Sequence, residues 1–248
     1  MAPPLPPPGR VAWLEINAQR VTDAVRFYRD LFAWGAAALH VPPWGSIPLI
    51  ANQDRVFANQ FMAMGAFSTP QWNVWFSGDL EAALDRIPAL GGETDGQIKR
   101  IDGHSEEVQG RDPTGRPFNV IRLLEREVPA RNRPGEPETA EFWGAEARRL
   151  APFYAGVLGL ESEETAEGAC LRDAGEPRLF LRQTAFDIQP PRWIPYFRSV
   201  SVGGDEERAR RAGAVVQVPR HTVPGLGELT VLADPANACF GLLDPAPA

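Results

Sequence analysis

Two glutamates of this sequence occur in a setting that favours acid–base chemistry. Glu15 and Glu141 each lie on the polar side of an alternation of apolar and polar residues, as in a half-buried strand. The residues two positions away, on the same face, are Trp13, Asn17, Thr139 and Trp143. A carboxylic acid partly desolvated by an indole ring has a raised pKa and can act as a general acid or base. We therefore predict both as catalytic residues; the alternative, favoured for at least one because the acid occurs twice, is a structural hydrogen-bond acceptor.

Tryptophans are concentrated in the first half of the chain and favour a pocket for a planar organic ligand. That half holds five of the seven tryptophans, of which Trp34 and Trp72 fall on predicted packing faces and are expected in the core. The predicted ligand-binding residues are Trp13, Asn17, Trp44, Gln71, Asn73, Trp75 and Asn119 in the first half, and Trp143, Arg192 and Tyr196 in the second. Aromatic walls with a few polar groups are typical of small-molecule sites. Ordinary packing between domains is the alternative.

Composition and charge narrow the class of protein. The chain has 248 residues, with 25 Lys and Arg against 32 Asp and Glu and a formal charge of −7, which disfavours a nucleic-acid-binding surface. No run approaches the ~18 apolar residues of a membrane span, and no secretory signal is visible. The two cysteines have no zinc-site spacing. We expect a cytoplasmic protein with no cofactor, whose partner is a small molecule rather than nucleic acid or a membrane; a homodimer is left open.

The sequence is an internal duplication. The matched segments, in the same order and at offsets of 126, 121 and 122, are 13–32 with 139–158, 72–76 with 193–197, and 112–118 with 234–240. Three matches at a nearly constant offset indicate two domains of the same fold. The predicted organisation is a disordered proline-rich segment at 1–9, a first domain at 10–125, a linker at 126–137 and a second domain at 138–245.

Each half is predicted to place its glutamate on a strand that is followed by a helix. Residues 11–17 alternate as a strand, and residues 21–32 have the apolar spacing of an amphipathic helix. The other predicted elements are strands at 71–77, 139–143 and 192–202, and helices at 79–89 (N-capped by Asp79), 145–158 and 204–212. The fold class is therefore α+β, with helices on one face of each sheet and the other face free to line a cleft.

These features resemble the vicinal oxygen chelate superfamily, which includes glyoxalase I, bleomycin-resistance proteins and extradiol dioxygenases. The resemblance rests on the strand and helix ending in Phe-Tyr (13–28 and 139–154), on WNVWF at 72–76, and on VPGLGELTVLADPANACFGLL at 223–243. The last segment is similar to glyoxalase-like proteins with two such domains in tandem. The resemblance implies two βαβββ modules per domain that curl a sheet around a cleft. It does not imply one reaction, because this fold hosts isomerases, dioxygenases, thiol transferases and binding proteins.

The resemblance also implies where metal-dependent members would hold a divalent ion. Carried over by motif, those positions are Trp13, Gln71 and Asn119 in the first domain, and Thr139, Arg192 and Gly241 in the second. Stable divalent sites use imidazole, carboxylate or thiolate ligands, and this set contains none. The three histidines, His40, His104 and His221, show no ligand spacing. We therefore expect no metal site.

The sequence predicts a metal-independent protein of the glyoxalase and bleomycin-resistance type. Its ligand is expected to be a small aromatic or polycyclic molecule, such as an antibiotic or another natural product. The alternative is a metal-independent isomerase, cyclase or lyase that uses a cleft glutamate as its acid or base. A metal-dependent glyoxalase or dioxygenase is the least favoured class. The sequence does not decide between a binding protein and an enzyme.

Overall fold

The computed structural model describes residues 7–18, 21–41, 45–62, 70–101, 103–124, 133–184, 191–223 and 225–246. Helices and β-sheets make up most of these residues. The helices within these ranges are α1 (Val21–Phe32), α2 (Leu80–Ala89), α3 (Ala147–Leu158) and α4 (Val202–Arg211). None of these described helices has the length and apolar character needed to cross a membrane. Trp44, residues 1–6 and residues 125–132 lie outside the described residues.

Each half of the chain forms one sheet. The described strands of the first half are β1 (Val11–Ala18), β2 (Gly35–Val41), β3 (Gly45–Asn52), β4 (Arg55–Met62), β5 (Gln71–Ser77), β6 (Glu93–Thr94), β7 (Lys99–Ile101), β8 (Ser105–Arg111) and β9 (Pro117–Leu123). Those of the second half are β10 (Pro137–Gly144), β11 (Glu161–Thr165), β12 (Gly168–Asp173), β13 (Glu176–Gln183), β14 (Arg192–Arg198), β15 (Val215–Val223), β16 (Gly227–Ala233) and β17 (Cys239–Pro245).

The two sheets share one strand order, which confirms the predicted duplication. The first runs β2-β3-β4-β1-β5-β9-β8-β6, with β7 paired to β8, and the second runs β11-β12-β13-β10-β14-β17-β16-β15. In both sheets the first strand of the half lies parallel to its fourth strand, β1 to β4 and β10 to β13. Each half thus contains the βαβββ module twice, and the predicted α+β class, with curved sheets around a cleft, is confirmed.

The helix boundaries follow from local sequence chemistry. Asp79 caps α2 as predicted, because its side chain accepts a hydrogen bond from a first-turn amide at 3.0 Å. Ser201 caps α4 in the same way, at 3.3 Å. The prediction of a strand over 192–202 is therefore wrong at its end. The strand stops at Arg198 and the helix begins at Val202. The Ser201 side chain accepts a hydrogen bond from a first-turn amide of the helix, so this residue begins a helix instead of continuing the strand.

The described residues form two compact units that interleave along the chain. Those of Met1–Trp13, Val74–Val128 and Thr139–Trp193 form one unit, and those of Leu14–Asn73, Pro129–Glu138 and Ile194–Ala248 form the other. Each unit therefore combines one module of the first half with one module of the second. The division of the chain into domains at 126–137 stays a prediction.

A buried tyrosine–aspartate contact recurs in the two units and gives two of the repeated motifs a structural role. In one unit the Tyr154 hydroxyl donates a hydrogen bond to Asp112 Oδ2 at 2.9 Å. In the other, burial and the nearby charge of Asp234 raise the pKa of the Tyr28 hydroxyl, which also accepts a hydrogen bond from Trp72 Nε1 at 2.9 Å. Each contact links the Phe-Tyr helix of one half to the Asp-Pro turn of the other half.

The predicted core tryptophans are in the core. Trp34 and Trp72 are 3% and 2% exposed, which confirms that prediction. Both pack edge-on against other rings of the same unit, Trp34 against Phe57 and Trp72 against Tyr28, an arrangement that aromatic pairs prefer. These two indoles are therefore unavailable to a ligand.

Candidate functional site

The first strand of each module in the first sheet has one face partly open to solvent. Along β1, the buried residues Leu14 and Ile16 alternate with partly exposed ones, because successive side chains of a strand point to opposite faces. The same alternation occurs along β5. The partly exposed residues are Trp13, Glu15 and Asn17 on β1, and Gln71, Asn73 and Trp75 on β5. We call these side chains the open face.

The corresponding face of the second sheet is closed. Glu141, Trp143 and Tyr196 are only 6%, 6% and 2% exposed there. A Cβ atom added to Gly241 would lie 2.2 Å from the Tyr196 ring, so the ring fills the space over the neighbouring strand. Arg192 is partly exposed. Trp143 and Tyr196 stay predicted ligand-binding residues, but their burial leaves little surface for a ligand to touch.

Glu15 is held by carboxamide side chains. Asn73 Nδ2 donates a hydrogen bond to Glu15 Oε1 at 2.9 Å, and Asn59 Nδ2 donates one to Oε2 at 3.1 Å. The Asn73 carbonyl in turn accepts a hydrogen bond from Gln71 Nε2 at 2.9 Å. Within the described part of the chain, no lysine or arginine forms an ion pair with Glu15. The bonded partners of this carboxylate are neutral amides, rather than the indole that the sequence suggests.

Glu141, the counterpart of Glu15, has a cationic partner. Arg182 Nε donates a hydrogen bond to Glu141 Oε1 at 2.8 Å, and Trp143 Nε1 donates one to Oε2 at 2.6 Å. Arg182 also pairs with Glu167. A buried carboxylate satisfied by a guanidinium and an indole is typical of a structural ion pair. This favours the structural alternative for Glu141 and leaves Glu15 as the accessible copy.

A second polar cluster orients the Trp75 indole. Trp75 Nε1 donates a hydrogen bond to Glu107 Oε2 at 3.1 Å, and Gln109 Nε2 donates one to Glu107 Oε1 at 2.8 Å. Lys99 Nζ donates to Gln109 Oε1 at 2.6 Å. Asn119 is partly exposed and lies opposite both Trp75 and Gln109 in the strand register. Because Glu107 is only 7% exposed, it fixes the edge of the indole through the N–H group and offers little surface to a ligand.

Four residues of these clusters were not selected from the sequence: Asn59, Glu107, Gln109 and Arg182. Glu107 and Gln109 carry a weak signal, because they flank the apolar Val108 and so fall on one face of a strand. Asn59 and Arg182 carry none that a single sequence reveals. Their roles depend on the parallel register of β4 with β1 and of β13 with β10.

Comparisons with known proteins show a family match in the second half of the chain and a shared fold. Residues 139–243 match the family model described as a glyoxalase-like domain. The crystal structure of the Mn(II)-bound glyoxalase from Novosphingobium aromaticivorans is similar with a TM-score of 0.70 and 12% identity, over 97% of this chain and 83% of that chain. Residues 139–243 therefore resemble a glyoxalase-like domain, and the chain shares the fold of this solved glyoxalase, as the sequence resemblance leads us to expect.

Particular relatives extend this likeness over the whole chain. The protein named "Putative glyoxylase CFP32" of Mycobacterium bovis and Mycobacterium tuberculosis is 28% identical over 251 residues, which cover 96% of this chain and 96% of the relative. The 2,3-dioxygenase LapB from Pseudomonas sp. KL28 is similar with a TM-score of 0.70 and 14% identity, over 98% of this chain and 94% of that chain. At 12–14% identity the solved structures establish the fold alone.

The residues at the superfamily's metal positions do not fit a divalent ion. Gln71 and Asn119 are neutral amides, and Gln71 already bonds to Asn73. The Thr139 hydroxyl donates to a backbone carbonyl at 2.7 Å, and Gly241 has no side chain. Amides, a hydroxyl and an indole lack the charge and basicity that divalent sites require. Across the described ranges, no group of three or more His, Cys, Asp or Glu side chains is placed to hold a metal.

Proposed function

We propose that this chain is a small-molecule binding protein that takes a planar aromatic or polycyclic ligand on the open face, without a metal ion. The observation that carries the proposal is the contrast between the sheets. The alternate residues of β1 and β5 are partly exposed, whereas Glu141, Trp143 and Tyr196 of the second sheet are buried. An antibiotic or another natural product is the proposed kind of ligand, and sequestration is the proposed role.

The composition of the open face supports an aromatic ligand. The compact unit that holds Trp13 and Trp75 offers both indoles and the partly exposed amide of Asn119, which lies opposite Trp75 in the strand register. Aromatic walls with a few polar groups are the usual make-up of a site for a flat organic molecule. Trp75 is held through Glu107 by a hydrogen bond of 3.1 Å. A ring already fixed in place loses little conformational freedom when a ligand stacks on it.

Replacing Trp75 with alanine is the variant that tests this proposal. We expect the affinity for naphthalene-2-carboxamide, a neutral two-ring probe, to fall at least about tenfold, because the stacked ring is lost together with its buried area. Trp75→Phe is the matched control: it keeps an aromatic face and should lose no more than about threefold. Isothermal titration calorimetry measures both. If the alanine variant bound naphthalene-2-carboxamide as tightly as the unchanged protein, the open face would not be the ligand-binding site.

The second candidate is a metal-independent isomerase, cyclase or lyase. It is favoured by the partial exposure of Glu15, which both amide partners hold in a fixed orientation. General acid–base catalysis needs such a positioned group and contributes about 10²–10⁴ in rate. Glu15→Gln keeps the size of the side chain but cannot transfer a proton. An enzyme would lose turnover in this variant while a neutral ligand still bound.

A further inference from the structure

The two copies of the repeated glutamate differ in one respect that bears on the ligand. Glu141 receives a hydrogen bond from the Arg182 guanidinium at 2.8 Å, whereas the donors to Glu15 among the described residues are neutral amides. The strand register shows why. Arg182 lies opposite Trp143 in the second sheet, and the matching position opposite Asn17 in the first sheet is Phe61. The first half therefore has the glutamate, but it has a phenylalanine at the position where the second half has the arginine that pairs with its glutamate.

The direction of the hydrogen bonds makes the surroundings of Glu15 rich in acceptors. An ionised carboxylate accepts only, so Asn73 must present its Nδ2 to Glu15 and its carbonyl to Gln71. Gln71 Nε2 uses one of its two N–H groups on that carbonyl. Asn17 Oδ1, two residues along β1, is buried with no hydrogen-bond partner among the described residues. Among the described residues, this part of the open face therefore combines a carboxylate that has no cationic partner with an acceptor, Asn17 Oδ1, that has no donor.

We propose that Glu15 binds a cationic nitrogen group of the ligand, an amidinium, guanidinium or ammonium, in the role that Arg182 fills for Glu141. The inference rests on the proposed function and adds the charge of the ligand to it. Such a group supplies both the positive charge and several N–H donors, and a charge-assisted hydrogen bond to a carboxylate is about twice as strong as a neutral one. An anionic ligand would instead meet a carboxylate and unpartnered acceptors.

A pair of probes of nearly equal shape tests the proposal by calorimetry. Naphthalene-2-carboxamidinium and naphthalene-2-carboxamide differ in charge and in one donor group. We expect the unchanged protein to bind the amidinium at least about tenfold more tightly, and Glu15→Gln to reduce that ratio to between about one and two while the carboxamide affinity is kept. Glu164→Gln, the same change on the exposed strand β11, is the matched control and should keep the full ratio.

A second variant tests the cation site by adding a positive charge to the protein instead of removing the negative one. Phe61→Arg places a guanidinium at the register position of Arg182 and leaves Glu15 intact, so it should also abolish the preference for the amidinium. Retained carboxamide binding shows that each variant is folded. A ratio near one in the unchanged protein, or a full ratio in Glu15→Gln, would overturn the cation site and leave the proposed function standing. Binding of neither probe would overturn both.

Discussion

Replacing Arg182 with leucine is expected to lower the free energy of unfolding by about 3 kcal/mol or more. Glu141 is 6% exposed and would lose the charge-assisted hydrogen bond from Arg182 Nε, while the neutral one from Trp143 Nε1 stays. Removing one partner of a buried ion pair leaves an uncompensated charge in a region of low dielectric, which is more costly than losing both partners. Urea denaturation followed by circular dichroism measures the difference.

Two further variants identify the source of that loss. Adding Glu141→Gln to the leucine variant removes the buried charge that Arg182 balanced and should restore at least about half of the lost stability. Arg172→Leu breaks an ion pair whose side chains are 33% and 57% exposed, and should cost less than about 1 kcal/mol. If Arg182→Leu were as mild as Arg172→Leu, Glu141 would not depend on its arginine.

Asp234→Asn is expected to stabilise the protein by about 3 kcal/mol at neutral pH. Burial raises the pKa of Asp234 from its usual 3.8 to about 6, in spite of hydrogen bonds from the Ala238 and Ala236 amides. The neighbouring Tyr28 hydroxyl lowers this pKa in part, although it does not reach Oδ2 in hydrogen-bond geometry, and no other described donor does. Asparagine keeps the oxygen that caps the turn and removes the charge that burial penalises.

The sign of the pH dependence follows from that raised pKa. Between about pH 4 and pH 6 the folded protein holds a proton on Asp234 that the unfolded chain has released, so stability falls as the pH rises through this window and is level above it. The raised pKa corresponds to about 3 kcal/mol at ~1.4 kcal/mol for each pKa unit. The gain from Asp234→Asn should therefore be absent near pH 4 and complete above about pH 7.

The matched residue of the other unit supplies the control. Asp112 Oδ2 accepts a hydrogen bond from the Tyr154 hydroxyl at 2.9 Å, so Asp112→Asn loses an acceptor and should destabilise the protein by about 1–3 kcal/mol. Thermal unfolding at pH 4, 5.5 and 7 compares the two variants. A loss of stability in both at pH 7 would show that the Asp234 charge is not a cost to the folded state.

Much of the fold could be predicted because its strands and helices follow from patterns among neighbouring residues. Alternation over 11–17 and helical spacing over 21–32 depend on neighbouring residues, and both elements lie where the sequence places them. The combination of modules into compact units could not be predicted. The Phe-Tyr and Asp-Pro motifs are visible in each half, but nothing local indicates that Tyr154 bonds to Asp112 of the other half.

The candidate site divides in the same way. Glu15 and Trp75 could be selected because alternation assigns each to a strand face. The burial of Tyr196, the counterpart of Trp75, could not be predicted, because its ring packs over Gly241 on an adjacent strand. The distinct partners of Glu15 and Glu141 were equally hidden, since they depend on the register of parallel strands far apart in sequence.

The most direct measurement is a titration of protein carrying ¹⁵N-labelled tryptophan with naphthalene-2-carboxamide, in buffer containing EDTA, followed through the indole N–H signals. Single tryptophan-to-phenylalanine variants assign those signals. Binding to the open face without a metal predicts that the Trp13 and Trp75 signals shift and saturate, while those of Trp143 and Trp193 stay in place. Shifts confined to Trp143 and Trp193, or shifts that are abolished by EDTA and restored by a divalent metal, would contradict it.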